Sequence, residues 1–262
     1  MTGTAENTIM SHDAAKLFDL SGKVALITGG SRGLGHEMAL AFARAGADVV
    51  IASRKADSCA RAALEVEALG RRALAHACHV GDWTALDGLV EAAYGHFGRV
   101  DVLVNNAGMS PLYPSLDQVS EALWDKVLDV NLKGPFRLMA NVGTRMAAGD
   151  GGSIINVSSI AAIRPTPMET PYAAAKAGLN ALTEAFAHAF GPKVRVNCIM
   201  AGPFLTDIAK AWDPKMKQYM EATSALGRAG DPDEIVGAAL YFASAASSFT
   251  TGAILRVDGG RP

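Results

Sequence analysis

Lys23-Val24-Ala25-Leu26-Ile27-Thr28-Gly29-Gly30-Ser31-Arg32-Gly33-Leu34-Gly35 decides how the rest of the chain is read. Its first half is a short apolar run rich in β-branched residues and stopped by glycine, the pattern of a buried strand. Its second half is a glycine-rich turn that leads into a helix-like stretch at residues 38–45. Strand, glycine turn and helix in that order make an anion-binding geometry. Glycine permits a tight turn and close backbone approach, and a helix N-terminus presents free N–H groups and the positive end of its dipole. The spacing is Gly-x-x-x-Gly-x-Gly, not the commoner Gly-x-Gly-x-x-Gly.

Outward from this stretch, strand and helix patterns alternate. Strands are expected at residues 24–28, 48–52, 73–78, 102–105, 153–158, 194–199 and 254–257. Helices are expected at 33–45, 56–69, 84–97, 121–146, 172–190 and 232–243. Such alternation predicts one doubly wound, Rossmann-type α/β domain: a mostly parallel seven-stranded sheet with helices on both faces. Ligands then bind beyond the C-terminal strand ends, where the strand order reverses. Residues 1–17 lack a sustained period and are expected to form a flexible arm before a domain over 18–262. Residues 203–226 break the regularity. There Phe204, Leu205, Trp212, Met216, Tyr219 and Met220 stand among charges, as suits a mobile amphipathic lid.

Composition narrows the function. A net charge of −2 gives no sign of a nucleic-acid or anionic-membrane partner. No basic segment leads into an apolar run at the N-terminus, and no apolar stretch approaches a membrane span, so a cytoplasmic location is expected. Cys59, Cys78 and Cys198 are well separated and odd in number, which reads as free buried thiols. The run His76-Ala77-Cys78-His79 looks metal-like. On a strand, however, His76 and Cys78 share one face while His79 points to the other, and no carboxylate stands nearby, so no metal is expected.

The chemistry concentrates in Tyr172-Ala173-Ala174-Ala175-Lys176. Three alanines favour a helix, and positions i and i+4 share a helix face one turn apart. A phenol beside an ammonium group is easier to ionise. Moving a tyrosine from about 10 toward neutrality requires roughly 1.4 kcal/mol per pKa unit, so a second positive charge nearby is expected. Val157-Ser158-Ser159 ends a strand and offers two candidate hydroxyls. No Gly-x-Ser-x-Gly elbow accompanies them, so a serine hydrolase is disfavoured.

Taken in order, Thr28-Gly29-x-x-x-Gly33-x-Gly35, Asn105-Asn106-Ala107-Gly108, Asn131, Ser159, Tyr172-x-x-x-Lys176 and Val257-Asp258-Gly259-Gly260 make the chain resemble the short-chain dehydrogenase/reductase family, single-domain branch. The resemblance spans residues 20 to 260. It implies hydride exchange between a nicotinamide cofactor and a carbonyl or secondary alcohol. It selects Ser159, thirteen residues before Tyr172, to polarise the carbonyl, and makes Tyr172 the proton donor or acceptor. Lys176 is implied to lower the tyrosine pKa and hold the nicotinamide ribose, and Asn131 to bind a water linking Lys176 to solvent. Cofactor contacts are implied at Gly29, Ser31, Arg32, Gly33, Leu34, Gly35, Val80, Asn106, Ala107 and Gly108, and at Gly202, Pro203 and Thr206. His79 stands where an aspartate often meets the adenine amino group; a neutral imidazole can still accept one hydrogen bond. Ala201-Gly202 replaces the usual Pro-Gly. Enoyl reductases of the superfamily separate their tyrosine and lysine more widely, so a ketoreductase or alcohol dehydrogenase is favoured.

Cofactor choice follows from charge. An acid after the second strand would suit the 2′-hydroxyl of NAD. Here Ile51-Ala52-Ser53-Arg54-Lys55 has none, while Ser53, Arg54 and Arg32 suit a 2′-phosphate. NADP(H) is therefore expected, with NAD(H) as the alternative. Candidate substrate contacts are Met109, Leu112, Tyr113, Ile160, Met168, Glu169, Phe204 and Trp212, mostly apolar. A 3-oxoacyl thioester ranks first among substrates and a sugar or polyol second. A non-catalytic dinucleotide sensor and a sugar epimerase or dehydratase are the other readings. The resemblance also implies a homotetramer, with the helices at 121–146 and 172–190 paired across a two-fold axis.

Overall fold

The computed structural model describes residues 14–207, 209, 215, 218, 219 and 222–261. After one helical turn, α1 (Ala14–Leu17), the elements run β1 (Val24–Thr28), α2 (Gly33–Arg44), β2 (Asp48–Ser53), α3 (Ala56–Ala68), β3 (Ala73–Ala77), α4 (Trp83–Phe97) and β4 (Val102–Asn105). Then come α5 (Glu121–Leu128), a π-helical turn at Asp129–Lys133, α6 (Gly134–Ala148), β5 (Gly152–Ser159), α7 (Thr170–Phe190) and β6 (Val194–Ala201). A 3₁₀ turn at Pro232–Ile235, α8 (Val236–Ala243) and β7 (Ile254–Val257) close the chain.

The seven strands are all parallel, in the order β3-β2-β1-β4-β5-β6-β7. β1 lies inside the sheet, between β2 and β4, and both its faces are apolar, so it can be covered on each side. Ala25 and Ile27 enter one core layer with Met38, Phe42 and Phe242. Val24 and Leu26 enter the other with Leu89, Leu138, Met139 and Leu179. The strand order reverses between β2-β1 and β1-β4, and there the C-terminal strand ends open into a crevice.

The helix expected over 121–146 is interrupted. Pro135 has no N–H to return to the carbonyl four residues back, and the chain widens into the π turn just before it. Asn131 sits inside this turn, fully buried. Gly134 lets the helix press against the loop after β3, since a Cβ there would lie 2.1 Å from the Val80 carbonyl oxygen. β5 and β6 run longer than expected, to Ser159 and Ala201, and this carries Ser159 to the crevice rim. Of the arm expected over 1–17, Ala14–Leu17 form α1, while residues 1–13 and much of the expected lid, including Trp212, Met216 and Met220, lie outside the described residues. No helix among the described residues is long and apolar enough to cross a membrane.

Candidate active site

At the reversal point the glycine turn is held by a polar bracket. Thr28 Oγ1 accepts from the backbone N–H groups of Asn106 and Ala107, each at 3.1 Å. Asn106 Nδ2 donates to the Thr28 carbonyl at 2.9 Å. Gly35 has no room for a side chain: a Cβ would lie 2.4 Å from both Asn106 Nδ2 and the Gly29 carbonyl oxygen. Gly33 has a φ of +56°, and its Cα faces Thr206 across the turn. The Asn106 side chain is therefore spent on the turn itself.

α2 begins at this turn without a side-chain cap and with no acid in its first turn. Its leading N–H groups and dipole are left for an anion, and this fits a dinucleotide pyrophosphate. Ser53 and Arg54 follow β2 beside it. Arg54 is exposed and forms no ion pair with another described residue. Arg32 is less available, with Nη1 3.7 Å from Asp207 Oδ2. His79 differs from expectation. Its Nδ1 already accepts from the Gly81 N–H at 3.1 Å, so the neutral ring offers only an Nε2–H donor and cannot accept from an adenine amino group.

β5 and α7 bring the reactive groups together. Lys176 is buried, and its Nζ donates to the Val157 carbonyl at 2.7 Å while lying 5.7 Å from the centre of the Tyr172 ring. Ser158 is buried and donates to the Lys176 carbonyl at 3.3 Å, a structural task. Ser159 Oγ accepts the Ala161 N–H at 3.2 Å, and its hydroxyl also hydrogen-bonds the Tyr172 hydroxyl, which sets the two reactive oxygens side by side. Asn131 Nδ2 donates to the carbonyls of Met109 (2.8 Å) and Val127 (2.9 Å), and its Oδ1 accepts the Met109 N–H at 3.2 Å. The π turn thus clamps the loop after β4. Gly108 fits under it because a Cβ would lie 2.9 Å from Asn131 Oδ1.

The ionisation of the pair departs from the sequence expectation. Burial pushes Tyr172 up to about 12, against the opposing pull of the Ser159 hydroxyl, and the nearby Glu169 carboxylate adds to the rise. Burial brings Lys176 down to about 8. The lysine is aimed at a carbonyl and lies over the ring, so its charge does not overcome desolvation of the phenolate. A protonated phenol is the form needed to protonate an alkoxide.

The lysine shift has a consequence for stability. The unfolded chain binds the Lys176 proton up to 10.5, and the fold releases it near 8. The burial cost is thus complete below pH 8, and stability rises as pH climbs from 8 to 10.5. Lys176→Met removes up to about 3 kcal/mol of that cost at pH 7, and the lost bond to Val157 takes back about 1 kcal/mol. Thermal denaturation of Lys176→Met and wild type is expected to show the variant melting higher at pH 7, with the gap closing by pH 10.5. An identical offset at both pH values would rule the buried charge out.

Substrate candidates divide. Met109, Ile160 and Glu169 are half-buried beside the centre, and burial raises the Glu169 carboxyl. Leu112 and Met168 are 76% and 52% exposed and make no wall on their own. Tyr113 is a brace, its hydroxyl donating to the Pro167 carbonyl at 2.6 Å and accepting the Thr170 N–H at 2.8 Å. Phe204 is a correction: it lies in the core with Ile235 and Phe242, its ring filling the space beside Gly230, and does not face the crevice. Its backbone explains this, because Pro203–Leu205 pairs with Gly230 and turns the ring inward. Gly202 is required where β6 ends, as a Cβ would lie 2.5 Å from the Asp258 Cα. Thr28 and the Val157 carbonyl were not foreseen as site members. Thr28 precedes the glycines and was legible; a backbone carbonyl leaves no sequence signal. No group of three or more His, Cys, Asp or Glu converges among the described residues to hold a metal.

Comparison with known proteins adds independent findings. The family model described as enoyl-(acyl carrier protein) reductase matches residues 29–261. Dehydrogenase/reductase SDR family member 4 of Pongo abelii is 36% identical over 93% of this chain and 88% of its own length. L-rhamnose 1-dehydrogenase (NAD(P)(+)) of a Sphingomonas species is 38% identical, over 92% of this chain and 96% of its own. Among solved structures, a gluconate 5-dehydrogenase from Burkholderia cenocepacia in complex with NADP and tartrate superposes with a TM-score of 0.89 at 33% identity. The match covers 94% of this chain and 97% of that one.

Proposed function

The chain belongs to the short-chain dehydrogenase/reductase family, and from that premise we propose that it is an NADP(H)-preferring oxidoreductase interconverting a ketone and a secondary alcohol. The carrying observation is the convergence of Ser159, Tyr172 and Lys176 at the C-terminal ends of β5 and the start of α7, next to an uncapped helix N-terminus. The turn at Gly29–Gly35, Arg54 and the loop at Gly202–Thr206 hold the cofactor, which when bound supplies the hydride and, oxidised, a positive charge. The Ser159 hydroxyl, beside that of Tyr172, turns to orient the substrate oxygen when substrate is present. Tyr172, protonated across neutral pH, donates its proton to that oxygen as negative charge builds on it. Lys176, anchored on the Val157 carbonyl against the Tyr172 ring, holds its cation beside the reacting groups, and Asn131 keeps the loop over it in place.

For the substrate, a small sugar, polyol or sugar acid is favoured. Two of the three relatives above carry such names, and Glu169 places a half-buried acceptor beside Tyr172. A 3-oxoacyl thioester is the second reading, supported by the apolar Met109 and Ile160. A panel of sugars, polyols, aldonates and 3-oxoacyl thioesters, read by NADPH absorbance, separates them. No turnover with any member and either cofactor would leave the sensor reading in place.

The same reading includes a homotetramer in the reducing cytoplasm. Ala177, Ala181 and Ala185 are exposed on α7, free to let a second helix approach, whereas Ala173 is buried within its own subunit. Light scattering at micromolar concentration is expected to give four subunits; a monomer counts against the pairing.

A further inference from the structure

Three polar side chains lie in the core behind the site, on elements that each carry part of it. Asn105 ends β4, Asn156 stands beside it in β5, and Thr183 is on α7. All three are 2% exposed or less. Asn105 Nδ2 donates to Asn156 Oδ1 at 2.9 Å, and Asn156 Nδ2 donates to Thr183 Oγ1 at 2.9 Å. Thr183 Oγ1 donates to the Leu179 carbonyl at 2.9 Å. That last bond sets the direction of the whole chain. With its proton on Leu179, the Thr183 hydroxyl can only accept from Asn156, which must then turn its oxygen to Asn105. The cost appears at the far end, where the buried Asn105 Oδ1 has no partner.

A trio of apolar side chains would fill this space without leaving an acceptor unpaired. A polar chain kept at that cost can instead enforce one arrangement of the elements it joins. Its ends are well placed to do so. β4 leads into Asn106-Ala107-Gly108, β5 leads into Ser159, and α7 carries Tyr172 and Lys176, two to three turns before Thr183. The other polar ties between β5 and α7 named above, Val157 and Ser158 with Lys176 and Ser159 with Tyr172, all fall in the first two turns of the helix. Ties at one end let a helix swing; a further tie at Thr183, two turns on, fixes its rotation.

We infer that Asn156 and Thr183 are positioning residues, which lock the rotation of α7 on β5 and so hold the Tyr172 hydroxyl in register with Ser159. The inference rests on the catalytic reading of Ser159, Tyr172 and Lys176. Thr183→Val keeps the volume and removes the acceptor. It is expected to lower kcat about tenfold or more per NADPH-binding site, because small misplacements at a reacting centre are costly. The Kd for NADPH, measured by fluorescence titration, should stay within about threefold, and Thr183→Ser should restore kcat. If Thr183→Val does not fold, Thr183→Ala carries the same comparison. Wild-type kcat in the variant, or a loss that Thr183→Ser does not rescue, overturns the inference. Tyr172→Phe, run alongside, keeps the two readings apart. An active Tyr172→Phe rejects the catalytic assignment, whereas an inactive one beside a fully active Thr183→Val rejects only the positioning role.

Discussion

Tyr172→Phe is expected to lose about 10² to 10⁴-fold in kcat while binding NADPH within a few-fold of wild type. The substitution removes one hydroxyl. The ring that Lys176 overlies is retained, so the packing of α7 on β5 should survive. Two features make the loss large. The phenol is held protonated by burial, to about 12, so it is fully loaded as an acid at neutral pH. Nor does the structure offer a ready substitute. The aliphatic hydroxyl of Ser159 is a far weaker acid than a phenol, and Lys176 is turned onto the Val157 carbonyl. The check is steady-state kinetics with the best substrate of the panel, together with a cofactor titration on the same samples. Retention of wild-type kcat would falsify the acid role. Loss of cofactor binding in parallel would show instead that the ring, not the hydroxyl, matters.

The parts of this site that were legible in the sequence are those written in local pattern. The strand run at Val24–Thr28, the glycine spacing after it and the i, i+4 placement of Tyr172 and Lys176 each depend on neighbours a few residues away. Strand and helix alternation then predicted a doubly wound sheet, and the observed order β3-β2-β1-β4-β5-β6-β7 realises it. What was not legible depends on partners far along the chain. Phe204 looked like a lid residue because its neighbours are amphipathic, but pairing with Gly230 turns it into the core. His79 was granted a free acceptor that the Gly81 N–H consumes. The tyrosine was expected to be easier to ionise because lysine is one turn away. The competing term, burial, is a property of the packed molecule, and it wins. Asn131 was marked only by the resemblance, and the π turn that its side chain helps to hold has no signal in the local pattern.

Cofactor preference is where one side chain is expected to act most sharply after Tyr172. Wild type should use NADPH more efficiently than NADH, and Arg54→Asp should move the ratio of kcat/KM values by about 10² to 10³-fold toward NADH. Arg54 follows β2, on the flank of the crevice where the adenosine ribose of a dinucleotide lies when its pyrophosphate meets α2. Its guanidinium is exposed and has no carboxylate to satisfy among the described residues. A charge-assisted bond to a 2′-phosphate is worth roughly 1.5–3 kcal/mol, or one to two decades of affinity. Aspartate removes that bond, repels the phosphate and offers the free 2′-hydroxyl of NADH an acceptor, so the effects reinforce one another. Arg32 gives less help than its place in the glycine turn suggested, since Asp207 already lies 3.7 Å from it. Arg54→Ala should therefore erase most of the discrimination by itself, and Arg32→Ala little. Measuring kcat/KM with both cofactors in wild type and the three variants orders these contributions. Equal use of NADH and NADPH by wild type would reduce Arg54 to a solvated surface charge, and a larger effect from Arg32→Ala would place the phosphate at the glycine turn instead.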